Sequence, residues 1–124
     1  MTPLRTIPLA AFLVAGCIAA APPESAPSPA IAAKVRDLSG NAACSDRIAG
    51  ALTAAAIPAD RIDGYTLAPA ATGSGRNSGT RRDVQRNAWL HMAGGGSVVV
   101  QFDPTTCRIA TLYARDGATL PKAG

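Results

Sequence analysis

The apolar positions of the chain change period as it runs, and each change marks an element. Ile31, Val35 and Leu38 recur at helical spacing. Ser28 stands before them as a capping side chain, Pro29 suits a first turn through its fixed φ, and Gly40 supplies a left-handed stop. The pattern predicts a short helix of about ten residues with a thin apolar stripe. Asn41 then reads as the cap of a longer helix reaching Ala56. Cys44, Ile48, Leu52 and Ala55 share one face of it, and Gly50 leaves room for a close neighbour. Ile57-Pro58 ends that helix, because a residue before proline is driven out of helical space.

From residue 62 onward the period shortens to two. Residues 62–67 are the weakest strand candidate, with Asp63-Gly64 suggesting a bulge. Residues 87–92, 97–102 and 107–115 alternate more clearly. A three-residue turn at Gly94-Gly95-Gly96 pairs Ala88 with Phe102, Leu90 with Val100 and Met92 with Val98, giving one apolar face. A two-residue turn would mix polar with apolar partners. Asp103-Pro104-Thr105-Thr106 is a type I turn signal that pairs Phe102 with Cys107 and Val100 with Ile109. The opposite face then carries Trp89, His91, Val99, Gln101, Arg108, Ala110 and Leu112. It is either a partner surface or the ground covered by the first helix, and the need to bury Ile31, Val35 and Leu38 favours covering. The predicted class is α+β: one main helix, plus a short N-terminal helix, packed on a three- or four-stranded antiparallel meander.

The start of the chain follows a different pattern. Ile7 to Ala15 is almost wholly apolar, Arg5 precedes it, and no acid occurs before Glu24. A spanning helix needs about 20 apolar residues, more than this run holds before Pro22-Pro23, so it reads as a signal peptide. The run closes on Val14-Ala15-Gly16-Cys17, which resembles the lipobox of bacterial lipoproteins. The resemblance covers only the first 17 residues. It implies cleavage before Cys17, a thioether-linked diacylglycerol and an acylated amine on that residue, and a firm hold on a membrane. Ile18, where an Asp would imply retention in the inner membrane, implies the outer membrane facing the periplasm. The other reading is an ordinary secretory signal cut after Ala20, which discards Cys17. The expected organisation is a signal peptide over 1–16, a Pro/Ala-rich spacer over 17–29, a small domain over 30–116 and a flexible tail over 117–124. The spacer is expected to be extended and semi-rigid, holding the domain off the membrane.

There are three cysteines, an odd number for an exported chain. Lipidation of Cys17 leaves Cys44 and Cys107 as an even pair in an oxidising compartment, and a Cys44–Cys107 disulfide is expected. Helical spacing places Cys44 among core-facing aliphatics, and the strand register places Cys107 on the apolar sheet face. A domain of roughly 80 residues buries little enough that such a staple matters.

Candidate chemistry is sparse. His91 is the only histidine, no cysteine cluster has zinc spacing, and no Gly-x-Ser-x-Gly elbow is present. Residues 73–79 fit neither a phosphate loop nor a dinucleotide fingerprint. No catalytic residue, metal ligand or cofactor is therefore expected. The chain carries a net charge of +4, and its cations are arginines far more than lysines. Arg76, Arg81, Arg82 and Arg86 gather around a Pro/Gly/Ser/Thr-rich stretch over 68–83, expected to be a long exposed loop. With Trp89 and His91 they are the candidate partner contacts. A solvated loop is the simpler account of these arginines, but near an envelope they would meet lipid phosphates or an acidic protein. Nucleic acid is not expected, since no aromatic residues interleave with the charges. The expected function is a non-enzymatic, lipid-anchored interaction or accessory module of the cell envelope. The alternative is an inhibitor that presents the 68–83 loop to the cleft of an envelope or foreign hydrolase.

Overall fold

The computed structural model describes residues 21–69 and 85–121. Helix α1 spans Pro29–Ser39 and helix α2 spans Ser45–Ala54. A 3-10 turn at Ala59–Arg61 leads into four strands: β1 Ile62–Pro69, β2 Arg86–Met92, β3 Ser97–Phe102 and β4 Ile109–Arg115. The strands form one antiparallel sheet in the order β1-β2-β3-β4, so the architecture is a two-helix layer on a four-stranded meander, an α+β fold. No described helix is long and apolar enough to cross a membrane.

α1 forms where its sequence signals place it. The Ser28 hydroxyl accepts a hydrogen bond from the Ile31 amide at 3.2 Å, Pro29 opens the first turn, and Gly40 closes it at φ +73°. α2 begins later than expected. Gly40 and Asn41 both take positive φ, the Asn41 amide returns to the Arg36 carbonyl at 2.7 Å, and Cys44 is itself left-handed at φ +69°. The link from α1 is thus spent in a left-handed double turn, Asn41 caps nothing, and helical geometry starts only at Ser45. At the other end Ala56 turns left-handed and the Ile57 amide returns to the Leu52 carbonyl at 3.1 Å, stopping the helix before Pro58.

Both helices lie on one face of the sheet. Ile31, Val35, Ile48, Leu52, Ile57, Ile62, Leu90, Val98, Val100, Phe102 and Ile109 form a single buried cluster drawn from both layers. The expectation that α1 covers the opposite face is therefore wrong. Its stripe is too thin to need a sheet of its own, and it finds burial in the angle between α2 and β1.

The strand pairings keep the predicted faces but shift in register. Ala88 pairs with Val100, Leu90 with Val98 and Arg86 with Phe102, two residues from the expected set. The Ala93 amide donates to the Arg61 carbonyl at 2.8 Å, which draws Ala93 out of the ladder. The three-residue loop thus becomes 93–95, and Gly96 accepts from the Met92 amide at 3.0 Å instead. A two-residue shift preserves facing, whereas a one-residue shift would have inverted it. In β1 the bulge falls at Asp63 as predicted, between the Ile62 and Gly64 pairings.

The β3–β4 connection differs more. Asp103 accepts the amides of Thr105 at 2.8 Å and Thr106 at 3.3 Å through its side chain, and the Cys107 amide through its carbonyl at 2.7 Å. This wider turn holds Cys107 at φ +64°, outside the strand, so β4 starts at Ile109. Phe102 pairs with Ile109 rather than Cys107, and a bulge follows, so Val100 pairs with Leu112. The extra residue inverts the strand beyond it: Leu112 joins the core face, and Thr111 and Tyr113 replace it on the other side.

The Cys44–Cys107 disulfide is present, with 5.2 Å between the Cα atoms. Its geometry is not the meeting of a helix stripe and a strand face. Both cysteines sit in left-handed turns, and they tie the α1–α2 link to the β3–β4 loop.

Residues 24–28 of the proline-rich segment are docked against α2. The Glu24 carboxylate accepts from Arg47 Nε at 2.8 Å and Nη2 at 3.2 Å, a hydrogen-bonded ion pair that raises the Arg47 pKa further. The Ser25 amide donates to the Gly50 carbonyl at 3.3 Å and the Ser28 amide to Thr53 Oγ1 at 3.1 Å. A Cβ on Gly50 would collide with the Ser25 carbonyl oxygen, which identifies the neighbour that this glycine admits. The described part of the tail is docked as well. Ala118 crosses Gly96 so closely that a Cβ there would strike its backbone, and Leu120 packs against the core.

Candidate functional site

The sheet face away from the helices is a grid of side chains fixed by register. One row reads Gly64, His91, Ser97, Arg115; the next reads Thr66, Trp89, Val99, Tyr113. The third reads Ala68, Asn87, Gln101, Thr111. No described helix packs on this face. Trp89 and His91, two of the predicted contact residues, are neighbours here, as their odd-numbered positions require.

Trp89 is clamped rather than free. The Arg115 guanidinium carbon lies 5.0 Å from its ring centroid, a cation–π contact that holds the cation over the aromatic face. Val99 stands between Trp89 and Tyr113 and is fully buried, though it belongs to no part of the main core. Tyr113 is 38% exposed, one of two large apolar side chains with substantial exposure among the described residues. This row sets Trp89 and Tyr113 on either side of the buried Val99, with Arg115 over the indole and 3.4 Å from Asp116.

His91 is held by two hydroxyls. Its Nε2 lies 2.8 Å from Thr66 Oγ1 and its Nδ1 lies 3.2 Å from Ser97 Oγ. A neutral ring donates through one nitrogen and accepts through the other, and both partners can reverse role. Among the described residues the partners include no carboxylate, so nothing here orients the ring as a base in the manner of an acid–histidine–hydroxyl triad. Gly64 opposes His91 because the ring edge fills the space a side chain would need, 3.3 Å from a Cβ built there. The arrangement ties β1, β2 and β3 together and explains a single histidine without invoking reaction chemistry.

The remaining predicted contacts separate. Arg86 is an even-numbered β2 residue opposite Phe102 and Pro69, hence on the helix-side parity, at the strand end. The structure does not bring it to Trp89 and His91. Arg76, Arg81 and Arg82 fall outside the described residues, as does Cys17. The 68–83 loop does too, except for Ala68 and Pro69, which belong to β1. Among the described residues no group of His, Cys, Asp and Glu could hold a metal ion.

Thr66, Ser97, Tyr113 and Arg115 belong to this face, and no local sequence signal marks them. Arg115 and Tyr113 become readable only once the β4 bulge sets their facing.

A cavity of about 500 Å³ lies apart from this face, between residues 21–25, the end of α2, Leu120 and the β4 residues Thr111 and Leu112. It is walled mainly by prolines, alanines and leucines and contains none of the predicted contact residues. No family model, no curated protein and no solved structure matches the chain.

Proposed function

We propose that this protein is a non-enzymatic interaction module of the cell envelope. Cys17 anchors it by lipid to the periplasmic side of the outer membrane, and the sheet face turned away from the two described helices receives an acidic protein or another anionic envelope component. The observation that carries the reading is the Trp89–Val99–Tyr113 strip with Arg115 beside it, on a face to which no described helix returns. Clustered aromatic residues with an adjacent arginine are the composition that protein contacts favour. The net charge of +4 draws an anionic partner by long-range attraction. Arg76, Arg81 and Arg82 extend that attraction from the segment joining β1 and β2.

The test is affinity capture from detergent-solubilised envelopes by the full chain, with intact-mass analysis of the bait. An acylated chain beginning at Cys17 supports the anchor, and an unmodified chain beginning at Ala21 overturns it. Capture of an acidic component is expected to weaken with salt and to fall roughly tenfold on Trp89→Ala or Arg115→Glu, as for a buried contact residue. Capture unchanged by Trp89→Ala, Arg115→Glu and Arg81→Glu/Arg82→Glu overturns the assignment of the face.

A further inference from the structure

The two edges of the sheet are not alike. β1 carries the bulge at Asp63-Gly64, ends in Pro69 and lies beside α1. Bulges, charges and proline are the devices that keep an edge from pairing with other strands. β4, Ile-Ala-Thr-Leu-Tyr-Ala-Arg, keeps a bulge of its own at Ala110 and a charge at Arg115. The four residues between them, Thr111 to Ala114, carry no such device, and no described strand lies on the far side of β4.

The direction of its free backbone groups follows from the ladder. Met92 and Gly96 are a hydrogen-bonded pair, joined at 3.0 Å. Antiparallel pairs alternate, so the registers make Val99–Tyr113 a hydrogen-bonded pair as well. The backbone of Tyr113 therefore turns toward β3, and that of Leu112 and Ala114 turns outward.

We propose that β4 pairs antiparallel with β4 of a second copy of this chain, about a two-fold axis through Leu112, making one eight-stranded sheet. Leu112 then faces its own copy, and their outward amides and carbonyls exchange both hydrogen bonds. Ala110, at the β4 bulge, falls opposite Ala114, two small residues, and Ile109 falls opposite Arg115. Thr111 faces Tyr113, a β-branched and aromatic cross-strand pair. Arg108, exposed just before the strand, lies at the end where the second copy's exposed Asp116 follows it. Asp116 already stands 3.4 Å from Arg115 of its own chain, so Arg108 joins that ion pair at both ends of the ladder. No like charges oppose each other. Registers centred on Thr111 or Tyr113 place inward-turned backbone on the axis and lose the central bonds. A cavity of about 500 Å³ lies against Leu112 on this edge of the molecule. The pairing is isologous and closed, so it stops at two copies.

Sedimentation equilibrium on the full chain in detergent, and on its Cys17→Ser form, tests this without reference to the anchor. A dimer is expected in both. Arg108→Asp or Asp116→Arg alone raises the dimer dissociation constant roughly tenfold, since symmetry disrupts two exposed pairs at once. The double swap restores it. Ala114→Pro, which removes only an outward amide, abolishes association while the near-ultraviolet circular dichroism stays that of the folded chain. A chain that remains monomeric overturns the proposal. So does a dimer indifferent to both the charge swap and Ala114→Pro.

Discussion

Tyr65 carries the most informative single atom of the core. It projects from β1 beside the buried cluster, and its hydroxyl is buried without a hydrogen-bond partner. Such an orphan costs stability, because water was given up and nothing replaced it. Burial also raises the Tyr65 pKa above its ordinary value of 10.0. A tyrosine whose folded pKa exceeds its unfolded one binds its proton more tightly when folded. That contribution is complete below pH 10 and is lost as the pH climbs through the folded value. Tyr65→Phe is therefore expected to leave the fold intact or slightly firmer at neutral pH and to flatten the alkaline decline in melting temperature. A decline equally steep in the variant would show that another group sets it. None of this is visible in the sequence, where Tyr65 is one more apolar residue of a weak strand. Its burial depends on α1 arriving at β1, a tertiary fact.

Among the elements, α1 and the β1 bulge were legible because their signals are local: Ser28, Pro29 and Gly40 for the helix, Asp63-Gly64 for the bulge. The β4 bulge was not. It arises because the Asp103 side chain and carbonyl together hold a turn wider than the four residues that proline suggested. The start of α2 was misplaced for a similar reason, left-handed conformations at Asn41 and Cys44 that non-glycine side chains rarely adopt. Gly50 links helix and segment in a way that reverses an ordinary rule. A helical Gly→Ala exchange normally gains about 1 kcal/mol. Here the methyl would displace the Ser25 carbonyl and break the strap formed by Glu24, Ser25 and Ser28. Gly50→Ala is expected to expose residues 21–28 to limited proteolysis while α2 itself persists by circular dichroism. Unchanged cleavage would show that the Glu24–Arg47 pair and the Ser28–Thr53 bond hold the strap without Ser25.

For the molecule as a whole, the disulfide was readable from cysteine number together with the oxidising compartment that the lipobox resemblance implies, though not from the helix and strand periodicities. The shift of β4 moved Cys107 off the strand, and the late start of α2 moved Cys44 off the helix, yet both ended in facing turns. The bond closes a sequence separation of 63 residues. In the chain-entropy view that constraint is worth about 4 kcal/mol, a large share of a small domain's stability. Cys44→Ala/Cys107→Ala is expected to lower the melting temperature on the order of 20 °C, and a shift of only a few degrees would place the stability in the core instead. The sheet face holding Trp89 and His91 was legible by parity alone, and that neither described helix covers it was not, since α1 had two places to bury its stripe. The docked strap has a further consequence under the proposed anchoring. Only the stretch from Cys17 to Glu24 is left as a leash, and covalent geometry limits it to about 25 Å. Under that anchoring the domain is held within about 25 Å of the bilayer and meets its targets by lateral diffusion in two dimensions.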